Sequence, residues 1–223
     1  MEFYDAHSHK LEAQTGGFLI GLDGEPKFEG ILSSVEAVNL QNKSKFLFAV
    51  EYINCSFKQT NTKVVKYHPR REKYLVSQVI EDIKNRLPNI VIIDTLNQPY
   101  WQPLDYWQIA LQFKEIQFVF CHAGGYDIHE FLKIANFSNN VWLDFSLTQE
   151  YFGWCGDRPK YLNITNAIDF ALSNSVINKK ILFGSDNGFF SQLVALQKYL
   201  TLKNSDLFLK DNFLKLIERA KIC

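Results

Sequence analysis

The sequence has no run of about 18 apolar residues, the length that a membrane-spanning helix needs. Its first residues, MEFYDAH, contain neither a basic segment nor a long apolar one, so we expect no signal peptide. Four cysteines are scattered along the chain without a CxxC pair: Cys55, Cys121, Cys155 and Cys223. We therefore expect reduced thiols in a cytoplasmic protein rather than disulfide bonds.

A net charge is also lacking, because 24 basic residues balance 24 acidic ones. Such a chain creates no overall field that would hold a nucleic acid or an anionic membrane, so we expect neither as a partner. Repeats, low-complexity segments and linkers are absent as well. The chain has 223 residues, 47% of them hydrophobic, and can bury a full core. We expect one domain over residues 1–223 with a small-molecule substrate, and homo-oligomerisation stays open.

Short apolar runs alternate with longer helical patterns along the chain. Most runs are continuously apolar, which is typical of parallel strands covered by helices. The eight predicted strands are residues 2–7, 17–22, 45–53, 63–68, 89–95, 116–122, 140–146 and 180–186. Helical patterns occupy residues 71–87, 103–115, 127–137, 160–175, 189–200 and 207–222. This order favours an α/β fold, a distorted (β/α)8 TIM barrel, over an open sheet, with an irregular first third where the second strand follows the first too closely for a helix.

Polar side chains end the predicted strands, and this is the edge of a barrel where active sites lie. They are Asp5, His7, His9, Glu51, Lys66, His68, Asp94, His122, Asp144 and Asp186. Four of the five histidines are in this group, and the fifth, His129, falls in the first turn of a predicted helix. His7 and His9 are two residues apart on one strand, so both imidazoles can face one metal ion.

Two further motifs put an ionisable side chain at the end of a strand, and each motif also has a purely structural explanation. In FGSDNG, Asp186 closes a strand and is either a carboxylate at the barrel mouth or the N-cap of the next helix. In FCHAGG, His122 precedes two glycines that allow the backbone to approach a ligand, or that simply form a turn. Cys121 beside His122 could be a nucleophile, but neighbouring strand residues point to opposite faces, which favours a buried structural thiol.

A local basic cluster, KYHPRREK over residues 66–73, follows the fourth predicted strand. Lys66, His68 and Arg70 are the residues we expect to bind a carboxylate or phosphate of the substrate. Alternatively, the cluster is the solvated first turn of the next helix. Aromatic loops at residues 97–103 and 149–157 could form a pocket wall, although core packing is the favoured explanation.

The order of four motifs resembles the amidohydrolase superfamily, in particular its single-domain, amidohydrolase-related branch akin to TatD-like hydrolases. The motifs are DAHSH, VVKYHPR, FVFCHAGG and ILFGSDNGF, and the resemblance extends from residue 3 to about residue 217. It implies a distorted barrel with one or two divalent metals, zinc first, at the mouth. By this resemblance His7 and His9 are metal ligands, and Asp186 binds metal and handles the proton of the attacking water. His122 is implied as a further ligand, or as a general acid or base.

The chain departs from this family pattern at one position. Asp94 stands where many members carry a metal-binding histidine, and a carboxylate can also ligate such an ion. We expect Asp94 to bind the metal; the alternative is an ion pair with Lys66 from the neighbouring strand. Lys66 stands where binuclear members carry a bridging carboxylated lysine or a glutamate, and an unmodified lysine that contacts a substrate anion is the favoured interpretation.

Together these features predict a metal-dependent hydrolase that activates water at the barrel mouth. The expected substrate is small and polar or anionic, with an amide, ester or related bond. Three alternatives stay open: a lyase or decarboxylase of the same superfamily, a TatD-like nuclease, and a barrel that binds a ligand without catalysis. The neutral net charge counts against the nuclease.

Overall fold

The computed structural model describes residues 1–22, 31–41, 44–57, 62–96, 100–146 and 162–222. Eight parallel strands succeed one another around the sheet in chain order. They are β1 (Tyr4–Ser8), β2 (Gly16–Ile20), β3 (Leu47–Ile53), β4 (Val64–Tyr67), β5 (Ile90–Asp94), β6 (Gln117–Cys121), β7 (Val141–Asp144) and β8 (Ile181–Leu182). They form a nearly closed barrel, so the predicted TIM-barrel fold is confirmed, and each observed strand overlaps a predicted one.

Helices follow the strands as the alternation predicts, with two differences. They are α1 (Ser34–Leu40), α2 (Pro69–Glu72), α3 (Val76–Arg86), α4 (Pro103–Gln112), α5 (Ile128–Phe137), α6 (Leu162–Ser173), α7 (Gln192–Leu200) and α8 (Asn212–Ala220). The helix predicted over 71–87 is two helices, because Lys73 adopts a left-handed backbone (φ 57°) and ends α2. The sequence analysis missed α1, although Ser33 and Glu36 form a capping box at its start. None of these helices is long and apolar enough to cross a membrane.

Both faces of the barrel strands are buried, which explains their continuous apolar runs. In β5, Val91 and Ile93 belong to the core between strands and helices, whereas Ile90 and Ile92 belong to the barrel interior. Side chains of successive strand residues point to opposite faces, so each apolar run contributes to both layers.

Helix α8 fills one end of the barrel. Its apolar face packs with the interior residues, and Phe213 stacks on Tyr4 with ring centroids 5.2 Å apart. Asn89, just before β5, donates a hydrogen bond to the carbonyl of Ala220 (2.7 Å). Because these contacts are made at the starts of the strands, α8 closes the N-terminal end of the barrel. The C-terminal ends of the strands are therefore the ends left for a site.

The barrel closes between β1 and the chain that follows β8. The amide of Ala6 donates to the carbonyl of Phe183 (2.8 Å), and the amide of Asp186 donates to the carbonyl of His7 (2.7 Å). We call this junction between β1 and the chain after β8 the seam. The Asn187 side chain extends it, because its Oδ1 accepts a hydrogen bond from the amide of His9 (2.8 Å). The first and last strands are thus joined by hydrogen bonds on both sides of His7.

Asp5 is a buried polar group within the same seam. Its carboxylate accepts hydrogen bonds from the backbone and hydroxyl of Ser185 (3.0 and 2.5 Å) and from the side-chain amide of Gln192 (2.7 Å). Burial raises the pKa of Asp5 to about 7, against the effect of these hydrogen bonds. Asp5 therefore fastens β1 to the chain that follows β8.

Candidate active site

The imidazoles of His7 and His9 converge on the carboxylate of Asp186 at the mouth of the barrel. Nε2 of His7 lies 3.4 Å from Asp186 Oδ1, and Nε2 of His9 lies 3.1 Å from the same oxygen. All three residues are buried. The seam between β1 and β8 produces this convergence, because it sets the two strand ends side by side.

Each histidine has its other ring nitrogen fixed by an acceptor. Nδ1 of His7 donates to Asp144 Oδ2 (2.7 Å), and Nδ1 of His9 donates to the carbonyl of Ile20 on β2 (2.7 Å). Both tautomers are then set with the Nε2 lone pair toward Asp186, which is how metal-binding histidines are commonly oriented. Burial lowers the pKa of His7 well below its usual value, and the Lys66 charge adds to this, so the ring is neutral.

The three ligand atoms fit a divalent ion. A tetrahedral ion with bonds of about 2.0–2.1 Å keeps its ligand atoms roughly 3.3–3.4 Å apart. The distances from the two imidazoles to Asp186, 3.4 and 3.1 Å, are close to that spacing. Burial alone would raise the pKa of Asp186, but His7 and His9 hold it below its usual range. Two imidazoles and a carboxylate form a donor set typical of zinc.

Lys66 contacts one of these ligand atoms. Its Nζ donates to Nε2 of His7 (2.9 Å), and its side chain is buried. An ammonium group and a metal ion cannot share one lone pair, so the lysine must move aside when His7 binds an ion. The predicted alternative pairing of Lys66 with Asp94 does not appear among the described contacts of Lys66.

Asp94 lies in a second polar cluster beside the first. Its Oδ2 is 3.5 Å from Nε2 of His68, 3.4 Å from Nε2 of His122 and 3.8 Å from Nη2 of Arg70. Burial would raise the pKa of Asp94, but these neighbours hold it well below its usual range. The structure does not bring Asp94 or His122 into the group formed by His7, His9 and Asp186. Asp94 as a metal ligand stays a prediction.

His68 and His122 differ in protonation although they share Asp94. Burial lowers the pKa of His68 to about 4, and its Nδ1 has no hydrogen-bond partner among the described residues. Burial also opposes charge on His122, but the hydrogen bond and charge of Asp94 outweigh it and raise the His122 pKa. His122 is the histidine that can carry a proton in this cluster.

His122 and Asp186 are both held in left-handed backbone conformations, with φ of 58° and 54°. Non-glycine residues adopt this region rarely, and such positions concentrate at functional sites. After His122 the turn continues with positive φ at Gly124 and Gly125. A β-carbon on Gly124 would overlap the ring of Phe131, so this glycine serves the turn and its packing.

A cavity of about 520 Å³ opens above these residues. Its polar wall contains every predicted site residue, and its apolar wall consists of four further side chains. The polar lining is His7, His9, Lys66, His68, Arg70, Arg71, Asp94, His122 and Asp186. The apolar lining is Leu22, Leu96, Phe189 and Phe190. The basic cluster is thus part of the cavity as well as the start of a helix, since Pro69–Glu72 form α2.

Other strand-end residues lie elsewhere. Glu51 accepts from Arg86 (3.1 Å), away from the cavity lining. Cys121 is buried in the barrel interior, and burial raises its pKa well above the usual value, as suits a structural thiol. In the first aromatic loop, Trp101 is buried and donates to the carbonyl of Tyr74 (3.0 Å), which favours core packing. The second loop, residues 149–157, lies outside the described residues.

Sequence reasoning missed the roles of Asp144 and Ser146. The sequence predicts Asp144 only as a strand-end residue and assigns no role to Ser146. Both are fully buried, and the Ser146 hydroxyl donates to Asp144 Oδ2 (2.9 Å). The spacing D-x-S at the end of β7 repeats the i, i+2 spacing of His7 and His9, and that was the available signal.

A comparison with protein families matches the amidohydrolase family over residues 36–217. The chain belongs to the amidohydrolase family. The matched range contains Lys66, Asp94, His122 and Asp186 but begins after His7 and His9. The place of these two histidines in an amidohydrolase site therefore depends on the geometry described above. A search of curated proteins finds no match.

Solved structures share the fold at low sequence identity. A probable 2-pyrone-4,6-dicarboxylic acid hydrolase from Acinetobacter baumannii with citric acid bound is 15% identical, with a TM-score of 0.64 over 98% of this chain and 100% of that one. An uncharacterized TIM-barrel protein from Bordetella bronchiseptica is also 15% identical, with a TM-score of 0.63 over 92% and 78%. An amidohydrolase 2 from Bifidobacterium longum subsp. infantis is 14% identical, with a TM-score of 0.54 over 94% and 81%.

Proposed function

We propose that the chain is a metal-dependent hydrolase with one divalent ion, zinc first, held by His7, His9 and Asp186. The observation that carries this proposal is the convergence of two oriented imidazoles and a carboxylate at the open end of a barrel. When bound, such an ion would lower the pKa of a water molecule and polarise a carbonyl oxygen.

In this proposal Asp186 is the general base. Its pKa below the usual range keeps it ionised at neutral pH. It lies at the cavity floor, where it can take the proton of an attacking water.

His122 is the general acid in this proposal. Its raised pKa favours the imidazolium form, and it lines the same cavity. Ring centroids of His7 and His122 are 4.9 Å apart, so a substrate at the ligand group also lies near the acid. His122 can donate a proton to a leaving group or stabilise a developing oxyanion.

The charge of the cavity supports a substrate that is a small anion. Its lining contains three cationic side chains (Lys66, Arg70 and Arg71) and two carboxylates, Asp94 and Asp186. The Arg70 side chain is 43% exposed and can therefore meet an entering ligand. Guanidinium groups bind carboxylates with paired hydrogen bonds. The similar Acinetobacter baumannii structure is named as a hydrolase of a dicarboxylic acid, which is in keeping with this proposal.

Metal content and turnover test the proposal together. Elemental analysis of purified protein should find about one divalent ion per chain. A panel of carboxylate-bearing amides, esters and lactones should be hydrolysed, with acid release followed at constant pH. Asp186→Asn should lower turnover by roughly 10²–10⁴ without unfolding the chain. The exposed His129 provides the control, because His129→Ala should change neither the metal content nor the rate.

Two results would contradict the proposal. One is full metal retention in both His7→Ala and His9→Ala. The other is release of carbon dioxide without hydrolysis products, which would favour the lyase.

A further inference from the structure

Two neighbouring arginines of α2, Arg70 and Arg71, line the cavity and differ in how firmly they are held. The Arg70 side chain is 43% exposed, and its Nη2 lies 3.8 Å from Asp94 Oδ2, which is beyond hydrogen-bond distance. The Arg71 side chain is 26% exposed, and its guanidinium lies over the ring of Tyr52, with Cζ 5.3 Å from the ring centroid. Arg71 therefore reaches the cavity in a conformation that the protein already restrains.

Tyr52 supports Arg71 from the neighbouring strand. Tyr52 lies on β3 and pairs with Lys66 of β4, the strand that leads into α2. The Tyr52 hydroxyl donates to Glu72 Oε1 (3.0 Å), and the amide of Cys55 donates to Glu72 Oε2 (3.1 Å). These hydrogen bonds fasten the end of α2 to β3 and to the chain that follows it.

Glu72 contacts Arg71 without engaging the whole guanidinium. Glu72 Oε1 is 3.6 Å from Arg71 Nε, whereas each Glu72 oxygen has a nearer donor in Tyr52 or Cys55. A guanidinium has five N–H donors, and only one of them is on Nε. A ligand carboxylate pairs with two N–H groups of this planar fork at once. The contact at Nε is therefore compatible with a ligand on the terminal nitrogens.

We propose that Arg71 is the residue that binds the anionic group of the substrate, and that Tyr52 is the positioning residue that holds its guanidinium at the cavity. Arg70 adds positive charge beside Asp94 but does not fix the ligand. The physical reason is preorganisation, because an arginine that is ordered before binding loses less side-chain entropy on binding than an exposed one does. That the bound anion is a substrate rests on the proposed function, whereas the binding itself does not.

Calorimetric titration of the purified protein with glutarate, a small dicarboxylate, tests this anion site. Arg71→Lys keeps the charge but loses the paired hydrogen bonds, so glutarate should bind about 10–100-fold more weakly. Arg70→Lys also keeps the charge, and its affinity should stay within about twofold of the wild type, because an exposed arginine acts mainly through its charge. Arg219→Lys, at an exposed position of α8 at the other end of the barrel, should bind glutarate normally. Glutaramide, the uncharged diamide of the same length, should not bind.

Variants of Tyr52 test the support of the guanidinium. Tyr52→Leu removes the ring beneath Arg71, so glutarate should bind roughly 3–10-fold more weakly. Tyr52→Phe keeps the ring and should lose less affinity. Combined with Arg71→Lys, Tyr52→Leu should add little further loss, because Tyr52 acts through Arg71. Losses that simply add would overturn the positioning role of Tyr52.

Activity separates this inference from the proposed function. On any hydrolysed carboxylate substrate, Arg71→Lys should raise KM by about tenfold or more and lower kcat by less, as expected when substrate and transition state lose the same interaction. Three results overturn the inference: unchanged glutarate affinity in Arg71→Lys, an equal loss in Arg70→Lys, or no saturable glutarate binding by the wild type. Glutarate binding that depends on Arg71 in a protein without hydrolase activity supports the inference while refuting the proposed function.

Discussion

Asp144 is the residue on which the orientation of His7 depends. It accepts from Nδ1 of His7 at 2.7 Å and is fully buried on β7. Asp144→Ala frees the His7 ring to rotate, so we expect zinc affinity measured by calorimetry to fall about 10–100-fold. Asp127, an exposed aspartate whose side chain makes no capping bond, is the control, and Asp127→Ala should bind zinc normally. Equal affinity in the two variants would refute the role of Asp144.

Lys66 should have the opposite effect on metal binding. Its ammonium group donates to the His7 lone pair that an ion needs, and its positive charge repels the ion. Lys66→Met should therefore tighten zinc binding, by about tenfold or more given the strength of charge interactions at such distances.

Titration with zinc by calorimetry measures this change. Lys63 lies exposed just before β4, toward the other end of the barrel, and Lys63→Met should leave the affinity unchanged. Weaker binding in Lys66→Met would show instead that the lysine helps to assemble the site.

At the scale of residues, the sequence predicts the polar groups that line the cavity better than the groups that hold them in place. His7, His9, His122 and Asp186 stand out because histidine is scarce and because each ends an apolar run. The hydroxyl of Ser146 has only the weak signal of the D-x-S spacing, since its importance comes from contacts with residues 24 and 139 positions away. The neighbours of Asp94 were equally hidden, because strand order cannot tell which side chain of an adjacent strand turns toward it.

At the scale of elements, β8 is fitted closely against β7. Gly184, just after β8, has no space for a β-carbon, which would overlap Asp144 Oδ1 and crowd His7 Cβ (3.1 Å). Gly184→Ala should destabilise the fold by about 1–3 kcal/mol, as overpacking usually does.

A double-mutant cycle measured by urea unfolding tests this fit. Asp144→Ala removes the overlapping oxygen, so the double variant should lose less stability than the two single losses added together. Strict additivity would show that the crowding lies elsewhere.

Most helices and strands could be predicted because burial determines which of their positions are apolar. Strands that bury both faces are continuously apolar, as in Ile90–Asp94, and the helices between them carry apolar stripes. The break at Lys73 and the short helix α1 were missed for local reasons. A left-handed lysine has no sequence signature, and α1 has only Ala37 as a buried residue.

At the scale of the molecule, a bound ion should stabilise the whole barrel. His7 is in β1, His9 directly follows β1, and Asp186 follows β8, so an ion would cross-link the seam. Zinc at 100 times its Kd should add about 2.7 kcal/mol, which for a chain of this size raises Tm by roughly 5–10 °C. Calorimetric scans with zinc and with a chelator measure the shift.

Two histidine variants make this measurement specific. His9→Ala should lose the shift because it removes a ligand, whereas His129→Ala, at an exposed position of α5, should keep it. A shift that survives in His9→Ala would place the stabilising ion at some other site.

The site can form during biosynthesis only after both sides of the seam have been synthesised. His9 and its seam partner Asn187 are 178 residues apart. At about 5–20 residues per second, the last strand leaves the ribosome roughly 10–35 s after the first. Through that interval the nascent chain holds His7 and His9 without the carboxylate of Asp186, so this ligand group is incomplete. Metal uptake by this group therefore belongs to the finished chain, and a ribosome-stalled product that ends after β7 should not bind zinc through His7 and His9 together.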